Sequence, residues 1–419
     1  MVEAAVYGSG RRASVLDTAL AVTRRICPPF YVFLSLATGL GAGFVGVTLA
    51  YVMVQHGMNV GQVALVMGVA VLPTTLRFLA AAVVDRALSP RVWYAFGLAG
   101  ALVSFGGLAL APLRAADLPL IAGLVFLMGM ANQFREAGLG ALLDRASRND
   151  ESAPIGGWLQ VGTLAGFGLG GGAGLWLASN GGGLIVAVAA LIVVSLAASS
   201  PLAFYRPPVG RAASVKDART LPVWPEIWSF MRTRTGALLI VVLAIPACEG
   251  GSASLFPAIA MDWHASANLV AEVTGVLFCA VVLPGTVLGG YLSQTLPSKL
   301  IYLLAGVGLA SVQIAMALSP RWPSLFAVFV VAAALIQSVA WGAMSWIIIE
   351  PLKPGTQDSV GAVLWSLSNV PLAVAICVFG CVQTAHGTTA MLLAEAGVSL
   401  VAIVGFGLVS LLWRPTRTA

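Results

Sequence analysis

The sequence predicts an all-α integral membrane protein: twelve transmembrane helices in two pseudo-symmetric six-helix bundles, with both termini in the cytoplasm. Three observations predict it. Of 419 residues, 59% are hydrophobic and only 9% charged, where a soluble chain carries about 25% charge. Windows of about 20 apolar residues, enough to cross a bilayer, occur twelve times. Lysine and arginine gather in alternate connections between those windows.

The first six spans are expected near 30–54, 60–84, 92–113, 118–143, 154–179 and 182–204. The second six are expected near 236–260, 268–293, 299–318, 323–349, 359–384 and 388–413. The organisation is then a cytoplasmic segment 1–29, a bundle 30–205, a linker 206–235, a second bundle 236–413 and a tail 414–419. Residues 1–29 show no secretory signal pattern, and Ser14 to Arg25 reads as an interfacial helix.

Charge placement gives the orientation. Of the 22 lysines and arginines, 18 fall on the side of the termini. Arg114 and Arg321 fall on the other side, and Arg77 and Arg135 lie within spans. The longest connection, Arg206 to Thr235, carries six basic residues and splits the chain into two sets of six. Its end holds Trp224, Trp228 and Phe230 beside arginines, a pattern suited to the headgroup layer.

Several function classes are excluded by what the chain lacks. It has no phosphate-cradling Gly-x-x-x-x-Gly-Lys-[Ser/Thr], no His-Glu-x-x-His and no nucleophile elbow. An ATP-driven pump or a hydrolase has no machinery here. The net charge of +6 comes without a basic run interleaved with aromatics, so nucleic acid is not an expected partner. Cys27, Cys248, Cys279, Cys377 and Cys381 lie in or beside apolar segments and read as small packing residues, not a disulfide or zinc framework. His56, His264 and His386 fall in outer loops. No metal and no cofactor is expected.

Polar residues inside spans mark function, because a charge at mid-bilayer costs at least about 2.5 kcal/mol. Arg77 lies eight residues before Asp85, and Arg135 nine before Asp144. At 1.5 Å per residue both lie about 12–13 Å in from the same side. Asn132 and Glu136 share a face of span four at i, i+4, with Gln133 and Arg135 beside them. Glu249 falls near the midplane of span seven, between Pro246 and Gly250-Gly251, where a desolvated carboxyl can exchange a proton near neutral pH. Gln337, Trp341 and Ser345 share a face of span ten, and Trp365 and Asn369 one of span eleven. Glu272 and Glu395 are expected near outer span ends, reaching to the interface. Gly162, Gly166, Gly170 and Gly174 form a bare stripe on span five that permits close approach of another helix.

Two matching motifs carry a resemblance. Span two ends in Ala81-Ala82-Val83-Val84-Asp85-Arg86, followed by Arg91. Span eight ends in Gly290-Tyr291-Leu292-Ser293-Gln294, followed by Lys299. Both resemble the Gly-x-Leu-x-Asp-Arg-x-x-Arg-Lys loop motif of the major facilitator superfamily. The first copy lacks the glycine, and the second has Gln294 for aspartate. Within that superfamily, Leu72, Pro73, Leu76, Arg77, Phe78, Leu79, Asp85 and Arg86 resemble the second-span signature of the peptide/acetyl-coenzyme A transporter branch. Ala80 and Ala82 replace its Trp and Pro.

The resemblance implies a secondary active transporter working by alternating access, not an enzyme. In this superfamily spans five and eight meet between the halves, with Gly285, Gly289 and Gly290 marking span eight. The branch implies a bulky, anionic solute, of muropeptide, siderophore or acyl-coenzyme A type, moved across a bacterial inner membrane. Candidate solute ligands are Arg77, Arg135, Asn132, Gln337, Trp341 and Asn369. Candidate proton-coupling groups are Glu249 and Glu136. The loop motif implies a cytoplasmic gate of Asp85, Arg86, Arg91 and Arg145. A monomer in the bilayer, with solute and protons as partners, completes the expectation. The competing readings are a lipid flippase on the same fold and a non-transporting membrane sensor or enzyme.

Overall fold

The structure is a computed structural model, and it describes residues 28–84, 88–146, 152–204, 228–229, 231–233, 236, 239, 250–350 and 357–412. Among these, nine helices are long and apolar enough to cross a membrane. They include Phe30–Gln55, Pro90–Leu110, Ala115–Leu142, Gly157–Asn180 and Leu184–Ala203 in the first half. In the second half they include Ala267–Leu292, Ser298–Leu318 and Pro323–Ile348. The last, Val363–Leu408, holds two crossings. Gly387 breaks it at φ 84°, a backbone region that L side chains rarely adopt. Span two is Val60–Thr75 continued by Arg77–Val84. Span seven is described from Gly250 onward.

Local chemistry places the helix starts. Asn59 accepts from the Gln62 amide at 2.9 Å while its own N–H donates to Gln62 Oε1 at 3.0 Å, a reciprocal cap that starts span two. Ser89 caps span three, with Pro90 in the first turn where a missing N–H costs nothing. The continuously described part of span seven begins at Gly250, φ 69°, and goes on in short 3-10 and α-helical turns, Ala253–Leu255, Phe256–Ile259 and Ala260–Trp263. A Cβ at Gly250 would lie 2.5 Å from Gln337 Nε2, so the position needs glycine for space as well.

Span five packs closely on two helices. Its stripe faces span one: a Cβ on Gly162, Gly166 or Gly170 would overlap the backbone carbonyls of Val32, Leu36 or Leu40. The crossing with span eight is made by the adjacent face. A Cβ on Gly172 would lie 2.7 Å from the Ala271 carbonyl oxygen and 2.8 Å from Gly275 Cα. Gly285 and Gly289 in turn face Ser338 and Val339 of span ten. The helix thus carries glycine on two faces, one for span one and one for span eight.

Three π-helical turns accompany these contacts: Phe44–Leu49 on span one, Leu169–Ala173 on span five and Glu272–Leu277 on span eight. A π-turn frees carbonyls from the regular ladder. Thr48 satisfies two of them, donating to the Gly170 and Gly171 oxygens at 2.9 and 3.0 Å.

Among the described residues, hydrogen bonds between the halves gather at the end of the bundle farther from the start of span one, here called the distal end. Tyr51 reaches the Ala265 oxygen, the Gly61 amide donates to Thr384 Oγ1 at 2.9 Å, and Asn180 donates to Asn268 at 2.7 Å. Nearer the middle, Cys279 Sγ donates to the Leu164 oxygen at 2.9 Å.

Candidate functional site

A cavity of about 440 Å³ lies at the seam of the two halves. Spans one, two, four and five line it from one side, and spans seven, eight, ten and eleven from the other. Its wall is mostly apolar, with Thr38, Thr74, Asn132, Gln133, Thr163, Ser254, Thr274, Gln337 and Asn369 as the neutral polar groups. Trp341 and Phe278 add aromatic surface, and Glu136 is the charged group of the wall. A site of this size and character holds a drug-sized molecule oriented by a few hydrogen bonds.

The opening of span two toward this site follows from its sequence. Pro73 lacks an N–H and breaks the ladder, so the helix stops at Thr75 and restarts at Arg77. Thr74 and Thr75 bond back to the Val71 and Leu72 oxygens, both at 2.6 Å. Gly129 on span four makes room for the proline ring, since a Cβ there would lie 2.5 Å from Pro73 Cγ.

Arg77 emerges from this break. Its guanidinium Nη2 lies 3.5 Å from Glu136 Oε2, with the two side chains 61% and 27% exposed. Glu136 therefore faces the cavity while tethered to a cation outside the lining set.

Arg135 goes elsewhere. It is 1% exposed and is absent from the cavity wall. Its Nη2 donates to Asn132 Oδ1 at 2.8 Å, and its Nε has no protein partner among the described residues. On a helix turning about 100° per residue, Arg135 stands about 60° from Asn132 on the side away from Gln133 and Glu136. That direction leads between spans three and four, where Gly97 lets the two backbones approach. The expected pair of solute-facing arginines is thus not formed: one is packed behind the wall and the other is paired at its edge.

Of the remaining expected ligands, Asn132, Gln337, Trp341 and Asn369 all line the cavity. The Asn369 amide also donates to the Trp365 oxygen at 2.7 Å. Gln133, Thr38 and Thr74 line it too and were not among the expected ligands. Gln133 was visible as one of four polar residues in five positions of span four. Glu249, Asp85 and Arg86 lie outside the described residues, and Arg145 is described in its backbone only. Arg91 lies in the first turn of span three, half-buried.

Glu395 corrects another expectation. It does not reach the interface but is 1% exposed. Oε2 accepts from the Ser252 amide at 2.8 Å. Span twelve begins just past Gly387, so residue 395 is already two turns deep.

A sequence profile of the Major Facilitator Superfamily matches residues 31–259. The chain belongs to the major facilitator superfamily. Membership makes it a membrane transporter, not an enzyme. Solved structures of the superfamily agree in fold. A bacterial homolog of the human lysosomal transporter Spinster, crystallised inward-facing and unoccupied, is 16% identical with a TM-score of 0.71; the match covers 93% of this chain and 99% of that one. The nucleoside transporter NupG is 13% identical with a TM-score of 0.68, covering 91% of this chain and 99% of the other. At such identities the likeness is one of fold. No curated protein sequence matches the chain.

Proposed function

We propose that this transporter is a secondary active carrier that moves a bulky, predominantly apolar solute bearing neutral hydrogen-bonding groups, by alternating access and with proton coupling. The observation that carries this reading is the wall of the cavity. Four amide side chains, Asn132, Gln133, Gln337 and Asn369, converge from both halves on an otherwise apolar space. Amides donate and accept at once, so they match neutral polar groups without the cost of burying a charge. The closed distal end and the central cavity support an inward-facing arrangement.

A second reading keeps the anionic solute of the transporter branch. The Arg77–Glu136 pair favours it. If Glu136 takes a proton, Arg77 is released, and an acidic group on a muropeptide-, siderophore- or acyl-coenzyme A-like solute can replace the carboxylate. In this scheme Glu136 is the coupling residue and Glu249 its reserve. Asp85, Arg86, Arg91 and Arg145 serve as the cytoplasmic gate of a monomer in a bacterial inner membrane.

The test is a thermal-shift panel on the purified chain, comparing nucleosides and other neutral drug-sized solutes with muropeptides, siderophores and acyl-coenzyme A. A ligand at 100 times its Kd stabilises by about 2.7 kcal/mol. Hits are followed by uptake into proteoliposomes under an imposed pH gradient. Stabilisation by neutral solutes, lost in Asn132→Ala and Gln337→Ala, is expected. Stabilisation by acidic solutes alone, lost in Arg77→Ala, would instead establish the second reading. Uptake that ignores the pH gradient would remove proton coupling.

A further inference from the structure

Among the described residues two charged side chains are buried, Arg135 and Glu395. Arg135 is accounted for by its bond to Asn132. Glu395 is not used by the cavity. It faces the Gly250–Ser252 stretch of span seven instead, about 12 Å along span twelve from Gly387.

Its surroundings are neutral hydrogen-bonding groups, with no cation beside the carboxyl among the described residues. Oε2 accepts from the Ser252 amide at 2.8 Å. Gln313 of span nine, 3% exposed, donates from Nε2 to Ser252 Oγ at 3.2 Å. The Gln313 side chain, the Ser252 hydroxyl and the Gly251 N–H also face the carboxyl as neutral donors. Yet Glu395 Oε1 and Gln313 Oε1 are both buried acceptors without a donor among the described residues. Buried oxygens are rarely left in that state.

Among the described residues no cation stands beside the carboxyl. Asp262 and Arg321 stand about two turns away, at the distal end of span twelve, held by Thr388 and Thr389. Lys299 begins span nine and Glu350 ends span ten, both toward the opposite end of the bundle. Glu249, three positions before Ser252, lies outside the described residues. A carboxylate at 395 would be a buried charge with no counter-charge, an arrangement that drives such groups to neutralise. A carboxylic acid gains one O–H donor. That O–H answers the free Gln313 oxygen while Oε2 still accepts from Ser252.

We propose that Glu395, with Gln313 and Ser252, is a proton-binding site of the transport cycle, set apart from the solute cavity. In the state described here Glu395 carries a proton. When that proton passes to water, the O–H to Gln313 is lost and a charge appears beside the Gly250–Ser252 stretch of span seven. The residues that follow Ser252 include Ala253, Ser254, Phe256 and Pro257, all part of the cavity wall. Proton occupancy thereby reaches the solute site through the backbone of span seven. The role in transport rests on the proton-coupled reading above; the protonation itself does not.

The test uses the purified full-length chain in lipid nanodiscs and infrared difference spectra between mildly acidic and mildly alkaline buffer, in H2O and D2O. A deuterium-sensitive carboxylic-acid C=O band is expected to persist in neutral buffer. It should vanish in Glu395→Gln and shift in Gln313→Met, which removes the acceptor at similar volume. Should Glu395→Gln fail to fold, the Gln313→Met shift decides. Absence of the band at neutral pH, or a band unmoved by Gln313→Met and Glu395→Gln, overturns the site. Normal pH-driven uptake by Glu395→Gln vesicles overturns the coupling role even if the band is present. If wild-type vesicles take up none of the panel while the band is present, the carrier reading fails and the proton site stands.

Discussion

Arg135 donates to Asn132 Oδ1 at 2.8 Å from one turn along the same helix, and this bond separates a buried charge from the cavity in front of it. Asn132 thus has two tasks. Its carbonyl oxygen serves the guanidinium, and its side chain lines the cavity. Asn132→Ala should leave the guanidinium stranded, at a cost of about 2–4 kcal/mol. Asn132→Asp keeps the acceptor and should retain stability while changing solute selectivity. Thermal unfolding in detergent separates the two variants; equal destabilisation by both would show that the bond is not what holds Arg135.

The Arg77–Glu136 pair should behave oppositely. At 3.5 Å and with Arg77 61% exposed, it is worth no more than about 1 kcal/mol. Glu136→Gln should hardly move the unfolding temperature. It should alter transport, because it frees Arg77 and removes the charge from the cavity wall. A double-mutant cycle with Arg77→Gln measures the coupling, and a stability coupling well above 1 kcal/mol would mean that the pair is structural.

Much of this was legible in the sequence. Span count, the six-plus-six division and the lining roles of Asn132, Glu136, Gln337, Trp341 and Asn369 follow from hydropathy and helical spacing. Arg135 was misread because it sits about 60° round from Asn132, at the border between the cavity face and the span-three face. Spacing alone does not say which way a long side chain bends. Glu395 was missed for a different reason. Its partners Ser252 and Gln313 are 143 and 82 positions away, so nothing near it in the sequence shows that the carboxyl turns inward and not to the interface.

The glycine stripe on span five gives a graded prediction. Gly166→Ala should place a methyl on the Leu36 carbonyl and destabilise by about 1–3 kcal/mol or more. Gly123→Ala, with open space around its Cβ position, should be tolerated. Comparable losses at both positions would contradict the packing of span five on span one.

Closure of the distal end can be locked. In a chain whose five native cysteines are replaced, Asn180→Cys with Asn268→Cys should cross-link under oxidation, since the native side chains meet at 2.7 Å. The linked protein should bind solute from one side but not transport it, and reductant should restore transport. Full transport with the link in place would mean that the halves do not part at this end.

The meeting of Gly172 with Gly275 sets a mechanical condition on any such parting. Where two helices touch through bare backbone there are no interlocking side chains to lift past one another. The contact can turn and slip over small angles while the helices stay together. Heavier side chains at the same place would behave as teeth and hold the halves in steps. This crossing is therefore suited to be the fulcrum of the molecule, the place that moves least while both mouths take turns opening around it.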